Sequence, residues 1–365
     1  MKKVFLMVIA FVMVLSVASV AMAQSAPAQV DVFFYDYSDT YIGSVRASME
    51  EQLKALSDKF TYNFYDGASN QGTQTQQVET ALTRGTDLLI VNIVTTGSDE
   101  AAQTIVDAAK EQDVPVVFFN REVSDAVVNS YEKCAFVGTD ADEAGYMQGQ
   151  MIAEFLQQDG NFEKYDLNDD KLVSYVMFRG ELGNAEAFGR TKYSVQNANE
   201  LLKDSGYQLD PSKANQTDAT QEQDGISPYY LYGNWSAANA KNLMDTALTT
   251  FTLDSGDIEI IIANNDDQAL GAIESMNEQG YNTGSDSEKY IPVFGVDATA
   301  VAQDAIKNGK MTGTIKQDAV GMAAGILYLA QNVQAGEELL ANTEDYNVDE
   351  GVAKIRIPYA IYTGE

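Results

Sequence analysis

Short apolar runs rich in Val, Ile and Phe recur along the chain, and longer segments of helical spacing separate them. VDVFFY (30–35), LLIVNIV (88–94), VPVVFFN (114–120), LVSYVMF (172–178), IEIIIANN (258–265) and IPVFGVD (291–297) predict strands. YIGSVRASMEEQLKAL (41–56), GSDEAAQTIVDAAKEQ (97–112), DEAGYMQGQMIAEFLQQ (142–158) and DDQALGAIESMNEQG (266–280) place apolar residues three and four apart and predict helices. Another helix is expected from near Ser236, after a polar, turn-rich segment, 210–234, that reads as a surface excursion. Strand and helix alternate regularly enough to predict an α/β fold of parallel sheets covered on both faces. At 365 residues the chain exceeds one domain of ~100–200 residues, so two such lobes are expected.

Open sheets of this kind bind ligands beyond the carboxyl ends of their strands. The residues found there are Asp39 and Tyr41, Asn92, Asn120, Asn265 with Asp266, and Asp297. They are hydrogen-bonding groups and one aromatic, with hardly a Lys or Arg. No phosphate-binding glycine loop follows the first strand.

Charge narrows the ligand further. Acidic residues number 54 against 23 basic ones, a formal net charge of −31. Such a field repels phosphate backbones and anionic lipid, which argues against nucleic acid and favours a neutral or cationic ligand. The chain has no histidine, which removes Ser-His-Asp and Cys-His hydrolases and every His-ligated metal site. Cys134 is the only cysteine, so no internal disulfide can form; within the apolar run CAFVGT it reads as a small buried hydrophobe. Met1–Ala23 carries two lysines, an apolar run and small residues at Ala21 and Ala23, the pattern of an export signal cleaved after Ala23, with an uncleaved anchor as the alternative because the run is long enough to cross a bilayer. The mature chain is therefore expected in the periplasm or outside the cell.

VPVVFFNRE (114–122), EIIIANNDDQALGA (259–272) and IPVFGVDA (291–298), with YDYSDTYIGSVR (35–46), resemble the galactose/glucose-binding periplasmic proteins, and the resemblance runs from about residue 30 to 359. It implies two Rossmann-like lobes joined by a three-strand hinge, the type I periplasmic binding protein fold. It also divides the chain into an N-terminal lobe of 30–119 and 317–346 and a C-terminal lobe of 120–316 and 347–365. The family holds a pyranose between one aromatic from each lobe, and Tyr41 and Trp235 match these. A sugar ring presents C–H patches on its faces and hydroxyls round its rim, so aromatic faces and oriented polar groups suit it. The resemblance assigns the rim to Asp39, Asn92, Arg190, Asn265 and Asp297. In GNAEAFGR (183–190), Asn184 stands where the family carries His and Glu186 where it carries Asp; Gln317 replaces Asn. These changes keep hydrogen-bonding capacity but alter reach, and leave the choice between glucose and galactose open.

Asp166, Asn168 and Asp170 in YDLNDDKLVSYV (165–176) put side-chain oxygens on alternate residues, as a calcium loop does. The carbonyl of Leu172 and the side chain of Ser174 continue the series, and the resemblance adds Glu259 as the distant closing ligand. Structural Ca2+ is the expected cofactor, with Lys171 in the place of the usual turn glycine and Ser174 in that of a longer amide ligand as the departures; a solvated acidic turn is the alternative.

The resulting expectation is an exported monomer that closes on a monosaccharide and delivers it to the membrane components of an ABC transporter. In some members of the family the closed form also engages a chemoreceptor. The enzyme alternative is a glycosidase using Asp39 and Glu186 as its carboxylate pair. A sugar-sensing repressor of the same fold would begin with a DNA-binding motif, where this chain has an export signal.

Overall fold

The structure, a computed structural model, describes residues 26–217 and 229–364. The export signal expected at 1–23 lies outside the described residues, as does 218–228 of the polar segment. Among the described residues no helix is long and apolar enough to cross a membrane.

In chain order the strands are β1 (Ala28–Phe34), β2 (Phe60–Asp66), β3 (Leu88–Val91), β4 (Val116–Phe119), β5 (Cys134–Gly138), β6 (Leu172–Arg179), β7 (Gln208–Pro211), β8 (Gln216–Thr217), β9 (Tyr229–Tyr232), β10 (Ile260–Ala263), β11 (Val293–Asp297), β12 (Gly313–Gln317), β13 (Asn347–Val348), β14 (Lys354–Arg356) and β15 (Tyr359–Tyr362). The helices are α1 (Thr40–Ala55), α2 (Gln71–Arg84), α3 (Glu100–Glu111), α4 (Asp125–Asn129), α5 (Ala141–Leu156), α6 (Asn161–Tyr165), α7 (Ala185–Leu202), α8 (Ala237–Ala247), α9 (Asp266–Asn277), α10 (Ala300–Lys307) and α11 (Ala319–Ala335). All six runs predicted as strands form one, and the predicted helices correspond to α1, α3, α5, α8 and α9.

Two sheets result. The first has the order β13-β14-β5-β4-β3-β1-β2, and the second runs β15-β12-β11-β10-β6-β9-β8 with β7 beside β6. Pairing is parallel except for β13 with β14, β12 with β15 and β8 with β9. The central strands β3, β4 and β10 are buried along their whole length, which is why they read as unbroken apolar runs. Residues of α1 and α11 pack on one face of the first sheet and residues of α2 and α3 on the other. The second sheet is covered in the same way, with α5 and α7 on one face and α8 and α9 on the other. Cys134 is buried in β5, and burial pushes its thiol up to about 12, out of the reactive range.

Among the described residues the chain passes between the lobes three times: from β5 to α5, from β12 to α11 and from β14 to β15. The expected division at 119/120 and 346/347 differs from this. β5 pairs with β4, and β14 with β5, so 134–138 and 354–356 belong to the first sheet. Neither strand is long enough for its sheet to be read from its own pattern; partners remote in sequence decide it.

Candidate ligand-binding cleft

A small cavity, with about 40 Å3 open to the centre of a water-sized sphere, lies between the lobes. Tyr35, Asp39, Tyr41, Asn120 and Arg121 line it from the first lobe, Asn184, Glu186, Arg190, Trp235, Asn265 and Asp297 from the second, and Gln317 from a crossing segment. Nearly all of them stand just past the carboxyl ends of β1, β4, β6, β9, β10, β11 and β12, or on the first turns of the helices that follow.

Three of these side chains also cap helices. Asp39 accepts from the Ile42 amide (2.8 Å) and from the Tyr35 hydroxyl (2.6 Å), Asn184 from the Ala187 amide (2.9 Å), and Asn265 from the Gln268 amide (3.0 Å). Capping accounts for Asn184 in physical terms, because Asn is among the best N-cap residues. It spends the carbonyl oxygen on α7 and keeps the amide nitrogen for the cavity. Asn265 donates its amide to the Trp235 carbonyl (3.1 Å) and so fixes the loop that carries the indole.

Arg190 organises the floor. It donates to the Asn264 carbonyl (2.9 Å), to Oε1 of Gln317 (3.1 Å) and to the Tyr359 hydroxyl (3.0 Å), and lies 3.7 Å from the Asp297 carboxylate. The Tyr359 hydroxyl also pairs with Oγ1 of Thr139 (2.8 Å). Thr139, Gln317 and Tyr359 stand one on each of the three interlobe crossings, so a single guanidinium is tied to the whole hinge.

Several groups around this floor lack partners or carry strain. Glu186 is 4% exposed, and neither carboxyl oxygen has a hydrogen-bond partner among the described residues; Nε of Arg190 and Nε of Arg121 are also unpartnered. Burial, reinforced by the Glu122 charge, raises the Glu186 pKa. Burial likewise holds Asp297 well above the usual carboxylate range, although Arg190 opposes it. Unsatisfied buried polar atoms are costly, and here they face a cavity that a hydroxyl-rich molecule can enter. Asn120 (φ 60°), Trp235 (φ 63°) and Asp297 (φ 123°) all have left-handed backbone, an arrangement that gathers at ligand sites.

The lobes touch across the cleft mouth. Arg121 forms an ion pair with Glu181 and lies over the Tyr35 ring at 4.2 Å, and Oγ1 of Thr40 donates to Asp267 (2.8 Å). These contacts define a closed arrangement.

Nine of the ten ligand-binding residues expected from the sequence line this cavity. Asn92 does not. It is fully buried behind the cavity, accepting from the Tyr35 amide (3.3 Å) and donating to the Phe119 carbonyl (3.1 Å) and to Oδ1 of Asn120 (3.3 Å). It thereby holds Asn120, which does line the cavity. Tyr35 and Arg121 were not expected there. Each directly follows an expected strand or its Asn, but nothing in sequence distinguishes them from neighbouring surface residues.

The acidic loop expected to hold calcium leads into β6, at the opposite end of that strand from the cavity residues that follow it. Asp166 accepts from the amides of Asp170 (3.1 Å) and Lys171 (3.0 Å), and Asp170 from the Leu172 amide (2.8 Å). Asn168 accepts from the Asp170 amide (3.2 Å) and donates to the Asp170 carboxylate (3.0 Å). Glu259 is fully buried and reaches the loop from the start of β10, accepting from the amides of Leu167 (2.6 Å) and Ser174 (2.7 Å). Burial pushes its carboxyl up to about 7. Lys171 takes the left-handed turn (φ 64°) for which a glycine was anticipated. Among the described residues no three acidic, cysteine or histidine side chains form a group that could hold a metal ion.

A family model described as "Periplasmic binding protein domain" matches residues 30–338. The chain belongs to the periplasmic binding proteins. It is 32% identical over 359 residues, 98% of this chain and 96% of the relative, to the D-galactose/methyl-galactoside binding periplasmic protein MglB of Haemophilus influenzae. It is 27% identical, over 92% of both chains, to a putative rhizopine-binding protein of Rhizobium meliloti. Among solved structures, an ABC transporter solute binding protein from Bacillus halodurans with bound myo-inositol superposes with TM-score 0.69 at 25% identity, covering 94% of this chain and 96% of that one. As a periplasmic binding protein the chain is related to transport receptors rather than to enzymes, and the glycosidase reading of Asp39 and Glu186 finds no support among them.

Proposed function

We propose that this periplasmic binding protein is exported, closes on a monosaccharide of the galactose/glucose type, and presents it to the membrane components of an ABC transporter. The observation that carries this reading is the cavity itself: Trp235 and Tyr41 from opposite lobes, with Glu186, Asp297 and Arg190 offering unfilled or charged hydrogen-bonding atoms. Carboxylates accept from hydroxyls and guanidinium donates to them, so one ring can satisfy both. Residues of both lobes reach the same cavity, so a ligand gains contacts only in the closed form and stabilises it. The same closed form is proposed as what a chemoreceptor would read, and the protein is proposed to act as a monomer. The names of the relatives, which include galactoside, ribose and xylose binders, support a sugar.

The test is a thermal-shift series with D-galactose, D-glucose, D-ribose, D-xylose and myo-inositol. Binding to the folded state alone raises the melting temperature. At least one is expected to do so, with the hexoses strongest; a flat response to all five overturns the reading. With the stabilising sugar, Asp297→Ala is expected to cost ~1–3 kcal/mol of affinity by calorimetry, the worth of a charge-assisted hydrogen bond. Asp39→Ala loses a similar amount and in addition about 1 kcal/mol of stability, because Asp39 caps α1.

Calcium at the Asp166–Ser174 loop is proposed as part of the same reading. The alternating oxygens and the Glu259 carboxylate aimed at the loop support it; the hydrogen bonds that those oxygens already make, and the lack of a three-acid cluster, oppose it. Calcium would tie the loop to β10 and bind only the folded state. Chelator is expected to lower the melting temperature, and added calcium to restore it in wild type but not in Glu259→Gln. Identical melting curves with chelator and with calcium would leave a self-bonded acidic turn.

A further inference from the structure

We infer that Gly180 is a positioning residue that sets where the Trp235 ring sits in the cleft, and with it the thickness of the slot the ligand ring must enter. Gly180 is the first residue after β6, and its amide donates to Oδ1 of Asn264 (3.0 Å). A methyl group added at Gly180 would come within 2.5 Å of Cε2, Cζ2 and Cη2 of Trp235. Three adjacent ring atoms are met at nearly equal distance, so the added carbon would lie over the face of the benzo ring rather than beyond its edge. The indole therefore rests one face on bare backbone.

Its position is held from other sides as well. Asn234 and Trp235 are both left-handed (φ 48° and 63°), the Trp235 carbonyl is fixed by the Asn265 amide, and the amides of Gly233 and Asn234 donate to the Arg179 carbonyl (3.1 and 3.2 Å). The loop is thus anchored to the residue next to Gly180. With the backbone pinned on both sides, an alanine at 180 can be accommodated only by moving the ring away from β6, into the cavity that it lines. Packed sites do not absorb such a shift: an added methyl forces rotamer changes that are felt directly.

The sequence gives no hint of this role, since GELGN (180–184) reads as a loop. The role rests on the proposed sugar site for its consequence, though not for the ring displacement itself. Trp235 is the only tryptophan in the chain, so fluorescence reports its position without any ligand.

The experiment is a double-mutant cycle of Gly180→Ala and Trp235→Phe in the full mature chain, read in two ways. In the ligand-free protein, Gly180→Ala is expected to shift the emission maximum and change iodide quenching while far-UV circular dichroism stays that of wild type. With whichever of D-galactose and D-glucose stabilises wild type, Gly180→Ala is expected to weaken binding about 10- to 100-fold. In the Trp235→Phe background the same change should weaken it less than about threefold, because phenylalanine lacks the ring atoms that the methyl would meet. If Gly180→Ala alone does not fold, folding of the double variant carries the same conclusion, and failure of both overturns it. Unchanged emission and quenching in Gly180→Ala overturn the proposal. So does an equal loss of affinity in the two backgrounds, which would mean that Gly180 acts on the loop backbone. If neither sugar binds wild type, the sugar reading fails while the emission measurement still decides where the ring rests.

Discussion

Arg190→Ala is expected to abolish measurable sugar binding and to destabilise the folded chain by about 3–5 kcal/mol, the range for removing one partner of a buried charge pair. Arg190 is 3% exposed, and its loss strips the buried Asp297 of the cation that opposes its burial. It also leaves the Asn264 carbonyl, Gln317 and Tyr359 without their donor. Because Gln317 and Tyr359 lie on interlobe crossings, the variant should loosen the hinge as well as the floor of the cleft. Urea unfolding and calorimetry check the two parts separately. Arg190→Lys should recover little, since a point charge cannot span three acceptors held in a fixed fork.

The defect should depend on pH in a defined direction. Asp297 is a carboxylate whose folded pKa is raised, and removal of Arg190 raises it further. In the window above the unfolded value of ~3.9 the folded state holds a proton that the unfolded state has lost, so stability falls as pH rises through that window. The difference between wild type and Arg190→Ala should therefore shrink as pH is lowered toward 4. A difference that is constant from pH 4 to pH 8 would show that Asp297 is not what Arg190 compensates.

Trp235→Ala is expected to cost roughly 1.5–3 kcal/mol of affinity, the worth of a large buried apolar contact, while the fold persists. Trp235 stands at the end of a loop and contributes little to either core, so its removal leaves the four apolar clusters intact. Trp235→Phe should recover part of the loss by offering a smaller face to the sugar. Titration of wild type should change the intensity and wavelength of its single indole as the lobes enclose it. Equal affinity of Trp235→Ala and wild type by calorimetry would assign the ring to packing alone.

Much of this architecture is legible in the chain itself, for an identifiable reason. Buried parallel strands such as β3, β4 and β10 are apolar on both faces and announce themselves as unbroken runs, and the ligand groups of such folds lie at or beyond their carboxyl ends. That position is why Asp39, Asn265 and Asp297, which line the cavity, are readable from sequence. Asn92 also directly follows its strand, but its side chain turns inward to brace Tyr35 and Asn120 rather than lining the cavity, and side-chain direction is set by contacts that sequence does not display. Arg121 was missed because its place depends on Glu181 and Tyr35, which are remote in sequence. The edge strand β2 alternates, with Phe60, Tyr62 and Phe64 turned to the core, but polar residues break its apolar run, and β7 and β13 are too short to show a period, so they emerge from pairing. The acidic loop shows the opposite limit, since its spacing is readable while the destination of its oxygens is not.

A crystal structure of the chain without residues 1–23, grown with the sugar that raises its melting temperature most, tests the cleft most directly. The expected density is one pyranose ring between Tyr41 and Trp235, with hydroxyls within hydrogen-bond distance of Glu186, Asp297 and Arg190 and the Arg121–Glu181 pair closed over it. Sugar bound elsewhere on the surface, or between the lobes without contact to Trp235 and Glu186, would contradict it.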